Sequence, residues 1–372
     1  MKKMVEPFCF RPFTINILQP KSDSVPKPRS GHRIVASGGN VYAFGGYNPE
    51  NEGDDPNSFL FKELWHFNTD SKQWTNLNMT GDIPSELASH AALLRGDTLL
   101  VYGGTAVPFG EQISNKLYAC NLRTCRWTLL PTEGDFPQEQ YGQAMCLHDG
   151  ALYVVGGTTG FEYSMDVHRL SLPDLKWKRL HTFQEPQSRY RHELVSYNDM
   201  IYVIGGGTAR TSLTLHKVPA FNTKLACWET LPTNPDQIHG YPRKRRCHGC
   251  AQYKSKAYIC GGHDGNGVLD DVWELDLQTL HWTKMSAQLP KSVYFHSGAV
   301  SEAGQMFVFG GVTSANSSSR CNTLWSMWVT VPPLLEIAWL SLLHYCPQLA
   351  KRPATVLTQA GVPRALVQRL LS

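Results

Sequence analysis

A Gly-Gly pair closing a short apolar run occurs six times in this 372-residue chain, at Gly45, Gly103, Gly156, Gly205, Gly261 and Gly310, at intervals of 49 to 58 residues. Such a period marks units that cannot bury their apolar faces alone and must stack on their neighbours. The runs VYAFGG, LLVYGG, LYVVGG, IYVIGG, AYICGG and MFVFGG are rich in β-branched and aromatic residues, as buried strands are. Other features keep phase with the glycines. A polar-aromatic strand start falls at His32, His90, His192, His248 and His296, with the third unit departing at Ala144. Downstream come Leu64-Trp65, Leu117-Tyr118, Val167-His168, Leu215-His216, Val272-Trp273 and Leu324-Trp325, and then one tryptophan in five units, at Trp74, Trp127, Trp177, Trp228 and Trp282. That large side chain suits the wedge between neighbouring units. Four strands per unit follow.

Four-stranded units repeated six times, with glycine where the chain turns near a crowded axis, resemble the kelch β-propeller. The resemblance implies an all-β body of six blades over residues 29–330, preceded by a segment, 1–28, and followed by a helical tail, 331–372. The sixth unit lacks a fourth strand. Residues 13–18, which alternate apolar and polar, are expected to supply it and close the ring.

Composition narrows the function classes. Hydrophobic residues make up 42% of the chain and charged ones 18%, and the net charge of +4 comes without long Lys/Arg runs, so no nucleic-acid footprint is expected. Arg11 and Pro12 interrupt the start before any signal-like apolar core, and the apolar region 328–343 is too short to span a bilayer. A soluble protein of the cytoplasm, the nucleus or both is expected, with no membrane partner. Ten scattered cysteines read as free thiols. Cys247 and Cys250 form one CxxC without a second ligand pair, and His192-Glu193 is followed by Ser196 where a zinc protease needs its second histidine. No metal, cofactor or catalytic site is expected, and a kelch-fold oxidase would need a convergent copper ligand set that is absent from the pattern.

From Pro332 onward the strand rhythm stops. Pro332-Pro333 stands where a helix can start, and Leu334, Ala338 and Leu342 recur at every fourth position. Pro333, Leu334, Ala338 and Leu342 resemble an elongin-binding box, with alanine where cysteine is commonest. Further on, Val362, Pro363, Leu366 and Leu370 resemble a cullin-2 box; a cullin-5 box carries a second proline where this chain has Ala365. A propeller followed by both boxes resembles the kelch-domain substrate receptors of cullin-2 RING ubiquitin ligases. The resemblance implies a non-catalytic receptor that binds elongin B/C, cullin-2 and its RING subunit, and that recognises protein C-terminal tails ending in glycine or alanine. The alternative is a kelch scaffold without ligase attachment, its tail packed on its own propeller.

Strand antiparallelism gathers the residues before each repeated histidine and after each glycine pair at one mouth. Arg29, Ser89, Tyr190, Tyr47 and His263 fall there, and a terminal carboxylate suits the two parallel hydrogen bonds of a guanidinium. Arg189 and Arg191, two apart, are expected to share a face, and one of Arg245 and Arg246 to face the pocket. Tyr141 and Tyr294 are expected to wall it.

Overall fold

The structure, a computed structural model, describes residues 6–51, 59–315 and 319–371. Six sheets succeed one another along the chain as blades I (33–77), II (91–129), III (144–180), IV (193–232), V (249–288) and VI (297–328), each running in sequence order from its first strand outward. Blade VI has three strands of its own. Its sheet is completed by Asn16–Ile17, antiparallel to Leu324–Trp328 with Asn16 opposite Ser326 and Ile17 opposite Trp325. Blades II and III each gain a short parallel strand, Thr80–Gly81 and Glu133–Gly134.

Packing explains why the glycine pairs and the histidines stay in phase. A Cβ on the first glycine of a pair would lie 2.5–2.8 Å from the next blade's imidazole at five of the six junctions, as Gly156 does to His192. A Cβ on the second would lie 2.7–3.1 Å from the Cβ of its own blade's histidine or glutamine. Neither position admits a side chain. At three junctions the histidine also ties two blades together: His32 Nε2 bonds the Phe309 carbonyl, His192 Nε2 the Val155 carbonyl and His296 Nε2 the Cys260 carbonyl, all at 3.1 Å. In blade III the equivalent residue is Gln143, whose Nε2 donates to the Tyr102 carbonyl at 2.9 Å. The third unit therefore keeps the bond with a different side chain, one position before Ala144. The tryptophans also bridge junctions: Trp127 packs on Phe44 of blade I with ring centroids 4.5 Å apart, and Trp177 on Tyr102 of blade II at 5.5 Å.

The C-terminal residues form α1 (Leu334–Tyr345), a 3-10 turn (Pro347–Lys351), α2 (Ala354–Gln359) and α3 (Arg364–Leu371). Trp339, Leu357, Leu366, Val367 and Leu370 make a small core of their own. This unit docks under blade I, on turns at the strand ends remote from the glycine pairs. Arg369 donates to both oxygens of Asp70, at 2.6 and 2.8 Å, and to both of Glu336, at 2.7 and 3.0 Å. Trp339 Nε1 donates to Asp70 at 2.9 Å, Asn68 donates to the Arg369 carbonyl at 2.6 Å, and a Cβ on Gly39 would lie 2.7 Å from Arg369 Cδ. Among the described residues no helix is long and apolar enough to cross a membrane.

Candidate functional site

The residue before each repeated histidine or glutamine has left-handed backbone: Gly31, Ser89, Gly142, Arg191, Cys247 and Phe295 all show φ between 55° and 67°. In that conformation each N–H turns sideways towards the preceding blade. The result is a closed circle: Gly31 donates to Phe295, Ser89 to Gly31, Gly142 to Ser89, Arg191 to Gly142, Cys247 to Arg191 and Phe295 to Cys247, at 2.7–3.1 Å. Beyond it in the channel, Arg33 of blade I pairs with Glu193 of blade IV at 2.7 Å and donates to the His90 carbonyl at 3.2 Å. A backbone circle and an ion pair thus close the axis below the mouth.

Above the circle is a cavity of about 240 Å³ lined by Ser30, Gly31, Tyr47, Ala88, Ser89, Phe109, Tyr141, Tyr190, Arg191, Tyr294, Phe295, Val312 and Arg320. Five blades contribute to it. One circle position is glycine because a neighbour uses the space: a Cβ on Gly142 would lie 2.8 Å from the Tyr190 ring, whereas one on Gly31 would make only ordinary contact with the Arg191 guanidinium at 3.4 Å. Arg191 lies 4.6 Å over the Phe295 ring, and its Nη2 donates to Ser89 Oγ. Its Nε is buried without a hydrogen-bond partner, and no described carboxylate lies in ion-pairing distance. Burial lowers the Arg191 pKa from its ordinary value. Arg320 donates to Ser30 Oγ at 3.0 Å and stacks 5.2 Å over Tyr47. Burial raises the hydroxyls of Tyr141 and Tyr294, so both remain neutral donors near neutral pH. The lining therefore offers guanidinium, hydroxyl and aromatic groups, and no acid.

The arginines divide into two structural classes. Arg189, 5% exposed, donates to the carbonyls of Gln187 and Gly205 at 2.9 and 3.1 Å, and Arg245, 0% exposed, donates to Arg243 and Gly261 and grips both oxygens of Asp271. Arg29 repeats the pattern on Lys27, Gly45 and Glu63. These three staple a connecting segment to its own blade and do not line the cavity. Arg189 and Arg191 do not share a face, because the left-handed turn at Arg191 precedes the strand and breaks the alternation. Arg246 lies at the rim: Nη1 donates to Ser212 Oγ at 2.7 Å and Nη2 to the Ala209 carbonyl at 3.2 Å. Tyr141 and Tyr294 are in the lining, with Phe295 before the repeated His296 and with Phe109 and Arg320, which carry no repeat signal; Arg320 comes from the loop after the sixth glycine pair.

On the helical unit, Leu334 is 80% exposed and Leu342 40%, and Pro333 and Ala338 are exposed beside them, while Trp339 on the opposite side of α1 is buried. Pro363 is exposed and Val362 half-buried at the start of α3. Leu366 and Leu370 face inward instead, packed with Trp339 and Leu357. Among the described residues no cluster of His, Cys, Asp and Glu could hold a metal ion, and all ten cysteines are free.

Six blades, each of four antiparallel strands with a fifth short strand added in II and III, locked by glycine pairs, define a kelch-repeat propeller. The KLHDC2/KLHL20/DRC7 Kelch-repeats domain matches residues 8–206 and 186–331. Kelch domain-containing protein 10 of Xenopus laevis is 45% identical over 353 residues, spanning 93% of this chain and 86% of the relative. The human protein of that name is 43% identical over 93% of this chain and 80% of its own length, and the Drosophila melanogaster homolog is 36% identical over 100% and 67%. The chain belongs to the kelch domain-containing protein 10 family.

Proposed function

We infer that this chain is the substrate-recognition subunit of a cullin-2/elongin RING ubiquitin ligase, capturing protein C-terminal tails at the propeller mouth for ubiquitination. The observation that carries the reading is Arg191: a largely buried guanidinium in the cavity wall, bonded to a serine hydroxyl and stacked on Phe295, with no described carboxylate in pairing distance. A terminal carboxylate supplies the missing charge, and the circle beneath stops a chain from passing through, so the cavity suits a chain end. Arg320 supports the same carboxylate from blade VI, while Tyr141 and Tyr294 wall the last residues and restrict them to glycine or alanine. On the other side, the exposed face of Pro333, Leu334, Ala338 and Leu342 is the elongin-binding surface. Val362 and Pro363 start the cullin-2 contact, with Leu366 and Leu370 shaping it from within.

A titration of the full-length chain with a fluorescent glycine-ended peptide, its C-terminal amide, and the Arg191→Ala variant tests the capture. Losing a charge-assisted hydrogen-bonded contact costs about 1.5–3 kcal/mol, so amide and variant each weaken binding about 10- to 100-fold. Equal affinity for acid and amide would sink tail capture. In parallel, elongin is recovered from extract on the wild type and lost on Leu334→Ser, whose site is too exposed to disturb the fold. Failure of the wild type to recover it leaves a kelch scaffold.

A further inference from the structure

We propose that the rim of blades IV and V selects tails carrying an acidic side chain a few residues before their last one. This rests on tail capture at the mouth and adds a second point of recognition outside the cavity. The rim there is cationic. Arg243 is 73% exposed at its side chain, Lys244 is exposed, and Arg210 stands exposed on the turn after the fourth glycine pair. Arg246 is fixed between these by Ser212 Oγ and the Ala209 carbonyl, its guanidinium held against the turn that carries Arg210.

The local acid Asp264 offsets Arg243 alone. Asp264 accepts from the N–H groups of Asn266 and Gly267 at 2.8 and 2.7 Å and faces Arg243 at 3.6 Å, so its oxygens are already engaged. No described carboxylate pairs with Arg246 or Arg210. Arg246 is also held without spending its charge, since both its partners are neutral. A guanidinium fixed by neutral groups is prepared for an anion at little entropic cost, because its rotamer is set before the ligand arrives.

The rim is continuous with the cavity. The Ala209 N–H donates to the Tyr163 hydroxyl at 2.9 Å, and Tyr163 packs 5.4 Å from Tyr190, which lines the cavity. A tail anchored by its carboxylate on Arg191 and leaving over Tyr190 passes this surface within a few residues, at about 3.3–3.6 Å per extended residue. On the opposite rim Glu50 is a charge neighbour of Arg320, so the cation there is already offset by an acid.

The experiment is an aspartate walk. A glycine-ended ten-residue peptide, otherwise uncharged, carries one aspartate at each position from second to sixth before the last residue, and each affinity is divided by that of the aspartate-free peptide. One position, or two adjacent ones, is expected to gain about fivefold, and the ratio to fall to near one in Arg246→Gln while Arg246→Lys retains part of it. No gain anywhere, an equal gain at every position as in long-range steering, or a gain that survives Arg246→Gln would each overturn the proposal. Thermal melts matching wild type exclude misfolding of the variants. The amide control separates the two claims: amide and acid binding equally removes tail capture, while the aspartate ratio still decides the rim.

Discussion

The mouth and the opposite face of the propeller use the same chemical group in contrary ways. Under blade I, the Arg369 guanidinium meets two carboxylates, Asp70 and Glu336, and four charge-assisted bonds consume it. At the mouth, Arg191 meets a serine hydroxyl and a phenylalanine ring and keeps one N–H unpaired. Desolvation costs both groups, but only the first recovers that cost inside the protein. An arginine closed by acids holds structure; one walled by hydroxyls and aromatics leaves its charge for something that is not part of the chain. Arg29 and Arg245 belong with Arg369 in this respect, although they stand only a few residues from the mouth.

The largest effect expected is on pH. Burial holds His90 and His192 down to about 3 and His296 to about 4, with His32 and His248 also well below the usual value. Folded, these rings are neutral; unfolded, they titrate near 6.5, so unfolding takes up protons as the pH drops below that value. Their stabilisation is fully present above about pH 6.5 and is lost progressively towards pH 3–4, each ring adding up to about 1.4 kcal/mol per pH unit to the slope. Urea midpoints should be flat from pH 7 to 8 and fall steeply between 6.5 and 5, before most carboxylates titrate. Blade III supplies the control, because Gln143 already makes the same bond without a titrating group: His192→Gln should flatten the slope. An unchanged slope would mean that these rings gain water in solution.

Next in size is the contrast among arginines. Arg245→Ala removes the guanidinium from both oxygens of Asp271, leaving only the Trp273 N–H on one of them, and should cost about 3 kcal/mol in urea unfolding. Arg191→Ala orphans only a hydroxyl and should cost about 1 kcal/mol of stability while weakening tail binding about 10- to 100-fold. Comparable losses of stability would erase the distinction between the two classes.

Sequence reading reached the propeller because its constraint is repeated. The first glycine of each pair must clear the next blade's imidazole, or at Gly103 the Gln143 amide, and the second must lie on its own blade's equivalent side chain, so the pair, the histidine and the wedge tryptophan recur in register. Site chemistry had no such redundancy. Arg189 and Arg191 look equivalent on a strand of period two, but a left-handed residue ahead of the strand sends them to different surroundings, and one backbone angle is invisible in composition. Arg320 lies on a loop with no periodic partner. In the tail, spacing located a stripe on α1 and another on α3 and was silent on which was covered: Leu334 and Leu342 face out, Leu366 and Leu370 in.

The smallest effect is local and tests the closed side of the comparison. Asp70, whose side chain is 1% exposed, receives Arg369 and Trp339 together and so links α3, α1 and the turn of blade I. Arg369 keeps Glu336 when Asp70 is removed, so Asp70→Ala breaks the bridge to the propeller without stranding the charge inside the helices. The helical unit retains its own core of Trp339, Leu357 and Leu366 and should stay folded. Hydrogen exchange should then quicken about tenfold, or 1.4 kcal/mol, over residues 334–370 while the blades stay protected. Peptide binding at the mouth should not move, since the altered contact lies on the far face. Unaltered exchange would assign the docking to the remaining links, Asn68 to the Arg369 carbonyl at 2.6 Å, Phe8 to the Tyr345 hydroxyl at 2.9 Å and His344 to the Glu6 carbonyl at 2.7 Å, and would leave the Arg369 guanidinium as a bond within the helices alone.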